Sequence, residues 1–483
     1  MDASAIRIRW RWRMLATVAV VLSACWHIAY ISQPGSLDLA PDEAHYWMWS
    51  QCLDVSYYSK GPLVAWLIRG SCELFGDDVL GVRMPAVVCG SAMIVGLYVL
   101  TVRVFGCDRL ACLVVFGALT LPAVALSRSV MTIDAPFTCC WCWSLVFGHE
   151  AIVRRARWAW PALGATLAVG ILAKYTMLLW LASAVLFILS SQELRLHFRR
   201  PGFWIVIAIA AAGCVPILWW NYGHDWVSFR HVNALSGVSD RADKPPIRWL
   251  GPLVYLGTQF AILLGFWFVI WLCSMFVHRP GQESNPSKRF LWWLSAPTFL
   301  LFLACSLRTE VLLNWTAPAY LSGLVLAGGW LHHHLTTGSL WKRLYLSANA
   351  AFAIAVGLFI TLSAFHVEFV RPMLVRLAGP PTQTNRMPLR RFDPTCRLRG
   401  WRYLGAEVSL LAEEMRSHGE EPHIAASRWY YASEVAFYSR TMEVYSFGPA
   451  VGDRQSQFDV WRPNPICDPS QFFGKTFIFI DVR

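Results

Sequence analysis

Long apolar runs separated by short polar loops make up most of the first 365 residues. Residues 14–31, 84–105, 203–219 and 344–365 are each apolar over about the length that a helix needs to cross the hydrocarbon core of a bilayer. Together with the shorter apolar runs between them, they predict about eleven membrane-spanning helices. The pattern therefore indicates a multi-pass α-helical membrane protein.

The charges of the chain are few, and their arrangement predicts its orientation in the membrane. Only 15% of the residues are charged, and the formal net charge is +12. Arg7, Arg9, Arg11 and Arg13 precede the first apolar run. Because positive residues concentrate in cytoplasmic loops, we expect a cytoplasmic N-terminus and a non-cytoplasmic loop after the first run. No basic stripe stands apart from the membrane loops, which excludes nucleic-acid binding.

The apolar run from residue 161 to residue 190 contains one lysine, Lys174, near its middle. A single helix would bury this lysine at mid-membrane, which costs roughly 3 kcal/mol or more. A single helix would also place the arginines before and after the run on opposite faces of the membrane. Two short spans that meet at Lys174 avoid both problems and return the lysine to the non-cytoplasmic face.

The composition changes after residue 365. Residues 366–483 contain more charge and proline, and they end in the strand-like sequence FIFIDV. We therefore predict a transmembrane domain over residues 1–365 and a small soluble α/β domain over residues 366–483. The odd number of spans puts this C-terminal domain at the non-cytoplasmic face. In a bacterium that face is the periplasm, and the membrane is the inner (plasma) membrane.

The first non-cytoplasmic loop, within residues 32–83, has an unusual concentration of aromatic and ionisable side chains. Its stretch LAPDEAHYWMWSQCLDVSYYSK has two acids, Asp42 and Glu43, directly behind Pro41, and it ends on Lys60. Aromatic rings of this density suit a membrane–water interface, where one end of the ring is wet. A solvated loop with interfacial anchors is the alternative interpretation of the same stretch.

Acids and bases occur together at the ends of the predicted spans. Ionisable groups near a membrane are candidates for function, since their burial is costly. Cations bind and neutralise a phosphate, and a carboxylate accepts the proton of an attacking hydroxyl. The combination predicts a reaction on a phosphorylated substrate, and the residues concerned are Asp42, Glu43, Lys60, Arg83, Arg128, Asp134 and Lys174.

Six short motifs resemble those of a known superfamily. They are PDEAHYW, YYSKGPLVAW, FGDDVLGVRMP, MTIDAPF, LAKYT and NYGHDWVSF, and they follow one another between Leu39 and Tyr320. In these motifs the chain is similar to the GT-C superfamily of polyprenyl-phosphate-sugar-dependent glycosyltransferases, and within it to families 39 and 83. Those families include protein O-mannosyltransferases and lipid A aminoarabinose transferases. The resemblance implies a GT-C fold in which the first loop is catalytic.

The resemblance also implies roles for individual residues. Asp42 is the expected catalytic base. Lys60 and Arg83 are the expected ligands of the lipid phosphate, and Asp134 and Lys174 are expected to line the same cavity. If Asp42 is not the base, Asp134 is the next candidate. The remaining candidates are Glu43 for catalysis, and Arg128, His45 and Tyr58 for substrate binding.

Asp42 and Glu43 are not expected to share the role of base. Neighbouring residues of a helix point about 100° apart, so only one of them faces a given hydroxyl. Asp42 lies in the first turn, where the helix N–H groups favour an ionised carboxylate. Glu43 would then bind a metal, orient a cation or cap the helix.

Three positions depart from the pattern of the aminoarabinose transferases. Ser59 stands where they have a glutamate, and His45 stands where they have an arginine. Asp77 or Asp78 stands where they have a histidine that binds metal. The cofactor is therefore unknown, since a divalent metal is one option but the sequence does not resolve a site for it.

The predicted reaction transfers a sugar from a polyprenyl-phosphate donor. The phosphate leaves already charged, so cations stabilise it and one carboxylate base suffices. Direct displacement inverts the anomeric carbon. The sequence leaves the acceptor open between lipid A, another glycolipid, a protein and a polysaccharide. A lipid-linked-sugar transporter and a non-catalytic membrane scaffold are the alternative functions.

Overall fold

The structure of the protein, a computed structural model, describes residues 3–236, 247–383 and 385–481. It is mostly helical, as the apolar pattern predicts. In chain order the α-helices are Ala3–Ser32, Pro41–Gln51, Leu63–Phe75, Val79–Phe105, Asp108–Leu119, Pro122–Ser127, Asp134–Gly148, Ala159–Ala173, Leu178–Leu189, Gln192–Arg195, Pro201–Tyr222, Val227–Ser236, Gly251–Ile262, Phe266–Val277, Pro286–Trp293, Ala296–Cys305, Ala317–Thr337, Leu340–Phe365, Arg371–Ala378, Trp401–Ser417 and Trp429–Tyr438.

Shorter helical turns connect some of these helices. A π-helical turn, His149–Val153, continues the helix that begins at Asp134. The turns of 3-10 type are Tyr175–Met177, Leu196–Arg199, Leu313–Thr316, Val367–Phe369, Pro388–Arg391, Pro394–Leu398, Gly448–Val451, Gln457–Asp459 and Pro469–Phe472.

Within the described ranges, four helices are long and apolar enough to cross a membrane: Ile8–Ser32, Val79–Phe105, Pro201–Tyr222 and Leu340–Phe365. A bent pair of helices makes a fifth candidate if it is counted as one span. Several other apolar runs are divided into helices too short for this test. The total of about eleven spans therefore stays a prediction.

The apolar run over residues 249–277 is bent and does not form one continuous helix. Its two helices, Gly251–Ile262 and Phe266–Val277, meet at 113°. Leu264 and Gly265 lie between them with φ angles of 54° and 65°. A right-handed helix cannot continue through two residues in the left-handed region, so the hydrogen-bond ladder ends here.

The predicted break at Lys174 is confirmed. One helix, Ala159–Ala173, ends directly before this lysine, and the next, Leu178–Leu189, begins after a 3-10 turn. Lys174 itself has extended backbone, with φ −153° and ψ 126°. The lysine thus lies at a junction between two short helices, which avoids its burial inside one long apolar helix.

The chain forms two compact units, each built from separate stretches of sequence. The first unit contains Met1–His27, Ala86–Ser129 and Ile133–Thr361. The second contains Ile28–Pro85, Val130–Thr132 and Leu362–Arg483. Residues of the first loop and residues of the C-terminal tail therefore belong to the same unit.

In the first unit, small residues allow helices to pack closely. The helix Ala159–Ala173 packs against Pro201–Tyr222 and against Asp134–Gly148. At Gly213 an added Cβ would lie 2.7 Å from the Cα and the carbonyl oxygen of Ala168, which leaves no room for a side chain. Contact of backbone with backbone is typical of helices in membranes, where small residues replace the hydrophobic effect as the basis of packing.

The second unit contains both helices and strands, and a separate soluble domain over residues 366–483 stays a prediction. In its described part, three strands form a parallel sheet in the order β2–β1–β3, and they are β1 His423–Ala426, β2 Val444–Ser446 and β3 Phe477–Ile480. The helix Trp429–Tyr438, here called the tail helix, connects β1 to β2, because parallel neighbours need a crossover. The tail helix also packs against Pro41–Gln51, here called the loop helix.

Candidate active site

The loop helix begins with the two acids that the sequence singles out. Pro41 occupies its first turn, and Ala40 before it has extended backbone. The backbone N–H of Ala40 donates to Oε2 of Glu43 at 2.8 Å, so Glu43 caps the helix. Asp42 is exposed whereas Glu43 is fully buried. The two adjacent acids therefore differ in environment, as the angle between neighbouring helical residues predicts.

Glu43 forms a buried ion pair with Arg83. Nη2 of Arg83 lies 2.8 Å from Oε2 of Glu43, and Nε lies 3.0 Å from Oε1. The guanidinium also donates to the backbone carbonyls of Leu37 at 2.9 Å and Asp38 at 2.8 Å. Oε1 of Glu43 further accepts the N–H of Met131 at 2.7 Å. The polar atoms of both side chains thus have hydrogen-bond partners in the protein. Through these bonds the pair connects residues 37–38 and Met131 to the start of the loop helix.

This arrangement bears on the roles expected for both residues. Glu43 caps a helix and orients a cation, which are two of the three roles expected for it. Arg83, expected to bind the lipid phosphate, is 1% exposed and bonded to protein on both edges of its guanidinium. The geometry favours a structural role for Arg83, and a contact with phosphate stays a prediction.

Lys60 and Tyr58 lie at the end of the same loop. The backbone carbonyl of Lys60 accepts the N–H of Tyr57 at 3.1 Å, which closes the turn. Lys60 is half-buried and Arg83 is buried, so Lys60 is the more accessible of the two residues expected to bind phosphate in this unit. Tyr58 is 8% exposed, and its backbone N–H donates to Gln457 at 2.7 Å. The turn is therefore attached to the tail.

His45, a candidate for substrate binding, lies in the interior of the second unit. Its Nδ1 is 2.9 Å from Oγ of Ser433, and its ring contacts Trp429 and Phe458. Burial, with a smaller effect of Arg454, lowers the pKa of His45 to about 3. A neutral, packed histidine joins the loop helix to the tail helix, and a contact with substrate stays a prediction.

In the first unit, Asp134 and Lys174 form a second ion pair. Nζ of Lys174 lies 2.7 Å from Oδ1 of Asp134, and Nδ2 of Asn314 donates to Oδ2 at 2.6 Å. The ammonium also lies 5.3 Å from the centre of the Phe137 ring. Asp134 is the first residue of its helix, where the N–H groups favour a negative charge. The structure thus brings together two residues that the resemblance assigns to one cavity.

Asp134 of this pair lines an apolar cavity of about 370 Å³ within the first unit. Most of its lining is aliphatic or aromatic, and Asp134 and Asn314 are among its few polar residues. A chamber of this kind accommodates an apolar chain whose polar end meets a small number of polar groups.

Arg128, the last predicted ligand of substrate, is packed inside the first unit. It is 1% exposed, and it donates to Oγ of Ser23 at 2.6 Å and to Oγ of Ser91 at 3.0 Å. Its side chain lies so close to Gly90 that a Cβ there would clash with it. These contacts indicate a packing role for Arg128, and a contact with substrate stays a prediction.

The sequence left a divalent metal open, and the candidate ligands can be inspected in the part of the chain that the structure describes. No three His, Cys, Asp or Glu side chains in this part of the chain lie close enough to share an ion. Asp77 accepts the indole N–H of Trp47 at 2.5 Å, and Asp78 accepts the N–H of Gly81 at 2.9 Å. Both aspartates, one or the other of which was expected in place of a metal-binding histidine, thus accept hydrogen bonds from protein groups.

Two residues of these networks carry no sequence signal that singles them out. Asp38 lies just before the first motif, and Asn314 lies in a 3-10 turn. Their place in the candidate site depends on contacts between distant parts of the chain, which a single sequence does not give.

Comparison with solved structures defines the class of fold. The chain superposes over 96% of its length on 89% of ArnT from Cupriavidus metallidurans bound to undecaprenyl phosphate, with a TM-score of 0.65 and 16% identity. Residues 59–220 match the family model described as dolichyl-phosphate-mannose-protein mannosyltransferase. The predicted resemblance to the GT-C superfamily is confirmed, and the chain has the GT-C fold.

Two curated proteins are similar to this chain in sequence. The lipid A galacturonosyltransferase RgtD of Rhizobium johnstonii is 28% identical over 62% of this chain and 62% of its own length. An undecaprenyl phosphate-alpha-4-amino-4-deoxy-L-arabinose arabinosyl transferase of Pseudomonas fluorescens is 24% identical over 69% of this chain and 62% of its own length. The aligned part of this chain thus spans less than two thirds of either relative.

Proposed function

We propose that the protein is an inverting membrane glycosyltransferase that moves a sugar from a polyprenyl-phosphate donor to an acceptor. The observation that carries the proposal is the start of the loop helix. Asp42 is exposed there, on a helix whose first turn is fixed by the buried pair of Glu43 and Arg83. A general base needs this combination of access and fixed position, because a small misplacement is costly to the rate.

The other residues take complementary roles. Lys60 stabilises the departing phosphate, which carries its charge as it leaves and needs no acid. Asp134, which is paired with Lys174, lines the apolar cavity, and the cavity suits the first isoprene units of the donor. The superposed ArnT was solved with undecaprenyl phosphate, which supports a donor lipid of that class.

Among the acceptors that the sequence leaves open, lipid A is favoured. One relative is by name a lipid A galacturonosyltransferase, and the matched family model is by name a protein mannosyltransferase. The sequence relationship to the lipid A enzyme covers more of the chain than the family model does, which supports a lipid over a protein acceptor.

The transfer would take place at the periplasmic face of a bacterial inner membrane. We propose about eleven crossings, with the N-terminus in the cytoplasm and the tail, Asp42 and Lys174 in the periplasm. A cysteine introduced at Gly419, an exposed position of the tail, should react with a membrane-impermeant maleimide in intact spheroplasts. Labelling of Gly419→Cys only after lysis would contradict this orientation.

The experiment that tests the function follows sugar transfer in proteoliposomes with undecaprenyl-phosphate donors and lipid A. Asp42→Asn should slow transfer by roughly 10²-fold or more while donor binding persists, because only the base is lost. Lys60→Ala should instead weaken binding of undecaprenyl phosphate by roughly tenfold or more, because a charge-assisted bond is lost. Glu73→Gln, an exposed acid of the same loop, is the matched control and should leave both unchanged.

The outcome separates the proposed function from its alternatives. A transporter would move the intact donor across the membrane without cleaving it. In that case the parent protein and Asp42→Asn would both lack sugar transfer. A scaffold would show neither movement nor transfer. Near-normal transfer by Asp42→Asn with an intact donor site would remove Asp42 from the role of base and point to Asp134.

A further inference from the structure

One buried acid of the second unit has no role in the mechanism above. Glu434 lies on the tail helix, is 0% exposed, and neither oxygen of its carboxyl has a hydrogen-bond partner among the described residues. The residues around it on the helix are bonded to the first loop: Ser433 to His45, and the hydroxyl of Tyr438 to the N–H of Leu39 at 2.7 Å. Glu434 therefore lies where the tail helix packs on the start of the loop helix.

The charged groups that act on Glu434 come from the candidate site. They are Glu43 on the loop helix, Asp38 before it and the guanidinium of Arg83. The cations of this cluster are already paired: Arg83 with Glu43 at 2.8 Å, and Nε of Arg402 with Oδ1 of Asp38 at 2.9 Å. An ionised Glu434 would add a third carboxylate to these two pairs. Buried charge without a paired cation is strongly disfavoured.

Other titratable groups on the elements packed against the tail helix do not offer a buried cation. His45 is neutral, and Asp42 is exposed. The titratable residues of the helix Trp401–Ser417 and of strands β1 and β2 are exposed or half-buried. They are Arg402, Tyr403, Glu407, Glu413, Glu414, Arg416, His423 and Tyr445. The tail helix itself contributes Tyr430, Tyr431 and Tyr438, and the loop helix also contributes Tyr46.

We propose that Glu434 is a positioning residue that acts as a neutral acid, keeping Arg83 bonded to Glu43 and thereby holding the start of the loop helix. While Glu434 keeps its proton, Glu43 accepts from Arg83, Ala40 and Met131. When the proton is lost, a second carboxylate competes for Arg83 and repels Glu43. The bonds that fix the first turn, and with it Asp42, then weaken. The link to catalysis rests on the proposed function, whereas the link to the loop helix does not.

The direction of the pH effect follows from the environment of the carboxyl. Burial, and then the charges of Glu43 and Asp38, raise the pKa of Glu434 well above its ordinary value of 4.5. The unfolded chain loses this proton near pH 4.5, whereas the folded chain keeps it to higher pH. Because the folded state binds the extra proton in that window, stability falls as the pH rises toward the folded pKa. The first turn should therefore loosen on the alkaline side.

Hydrogen exchange of the full-length protein in nanodiscs tests this directly. The amides of Ala40 and Met131, which donate to Glu43, should lose protection by roughly tenfold or more between about pH 6 and pH 10, after correction for intrinsic rates. In Glu434→Gln, which is neutral at every pH, protection should persist. Glu407→Gln, an exposed acid on the neighbouring helix, is the matched control and should behave like the parent protein.

Two results would overturn the proposal: no alkaline loss of protection in the parent, or an equal loss in Glu434→Gln. Should Glu434→Gln fold poorly, Glu434→Met supplies a second neutral variant, and its melting temperature should fall less with rising pH than that of the parent. An equal fall would refute the proposal as well.

A transfer assay then tests the catalytic consequence. The parent should lose kcat on the alkaline side with a smaller change in KM for the donor, and Glu434→Gln should lack this decline. If no transfer is detected in any variant, the proposed function fails while the exchange result still decides the role of Glu434. A shared decline of kcat in the parent and in Glu434→Gln would remove Glu434 from the positioning of Asp42.

Discussion

Two carboxylate–cation pairs, one in each compact unit, have almost the same length and very different surroundings. Glu43 and Arg83 are 2.8 Å apart with side chains 0% and 2% exposed, and Asp134 and Lys174 are 2.7 Å apart with side chains 17% and 12% exposed. Glu43 also accepts backbone N–H groups from two other residues, whereas Asp134 accepts a hydrogen bond from the side chain of Asn314.

The difference shows that the distance between two charges does not decide what a pair does. A fully buried pair is stable only if nearly all its polar atoms are satisfied, and removing one partner leaves an uncompensated charge. A partly exposed pair beside a cavity has lost less hydration, so its lysine can exchange the carboxylate for an incoming phosphate. We infer that the first pair is architectural and the second is available to substrate.

The largest effect is expected from breaking the buried pair. Arg83→Met should lower the free energy of unfolding by about 3–5 kcal/mol, because it leaves the carboxylate of Glu43 buried without its cation. Thermal unfolding in detergent should show the loss as a lower melting temperature, with transfer activity reduced in parallel.

The double variant Glu43→Gln with Arg83→Met sharpens this expectation. It removes both charges, so it should be more stable than Arg83→Met alone. Glu73→Gln, which removes an exposed acid paired with Arg69, serves as the control and should change stability by less than about 1 kcal/mol. If Arg83→Met is as stable as the parent, the pair is not architectural, and the role of Arg83 as a phosphate ligand gains support.

The features that the sequence predicts well are those set by local physics. An apolar run without charges has to be a helix in a membrane, and a lysine in the middle of such a run makes an unbroken helix costly. Lys174 accordingly lies at a break. By contrast, the bend in the run over residues 249–277 depends on left-handed backbone at Leu264 and Gly265. Hydropathy carries no signal for such a change, since both residues are apolar or neutral.

The candidate site is predictable only in part for a related reason. The first-turn acids are visible because Pro41 and the aromatic residues around them mark a helix start at an interface. The bond between His45 and Ser433, however, joins residues 388 positions apart. One sequence without contact information does not contain that pairing, nor does it contain the burial of Glu434 and Arg83.

The smallest effect is expected from the partly exposed pair, and a double-mutant cycle measures it. Lys174→Met, Asp134→Asn and their combination should give a coupling free energy of unfolding of about 1 kcal/mol or less, because solvent and Asn314 compensate for the lost partner. The same cycle on binding of undecaprenyl phosphate should look different. Lys174→Met should weaken binding, whereas Asp134→Asn should strengthen it slightly by releasing the ammonium toward the phosphate.

The directions in which Lys174→Met and Asp134→Asn change donor affinity distinguish three roles for the pair. If Asp134 were the base and Lys174 merely its structural partner, Asp134→Asn would abolish transfer and leave donor affinity unchanged. If the pair were architectural, both single variants would unfold at lower temperature by amounts similar to Arg83→Met. Opposite effects on donor binding, with little change in melting temperature, are expected only when the ammonium of Lys174 exchanges between the carboxylate of Asp134 and the phosphate of the donor. Thermal unfolding and lipid titration of the same four proteins therefore distinguish the three roles.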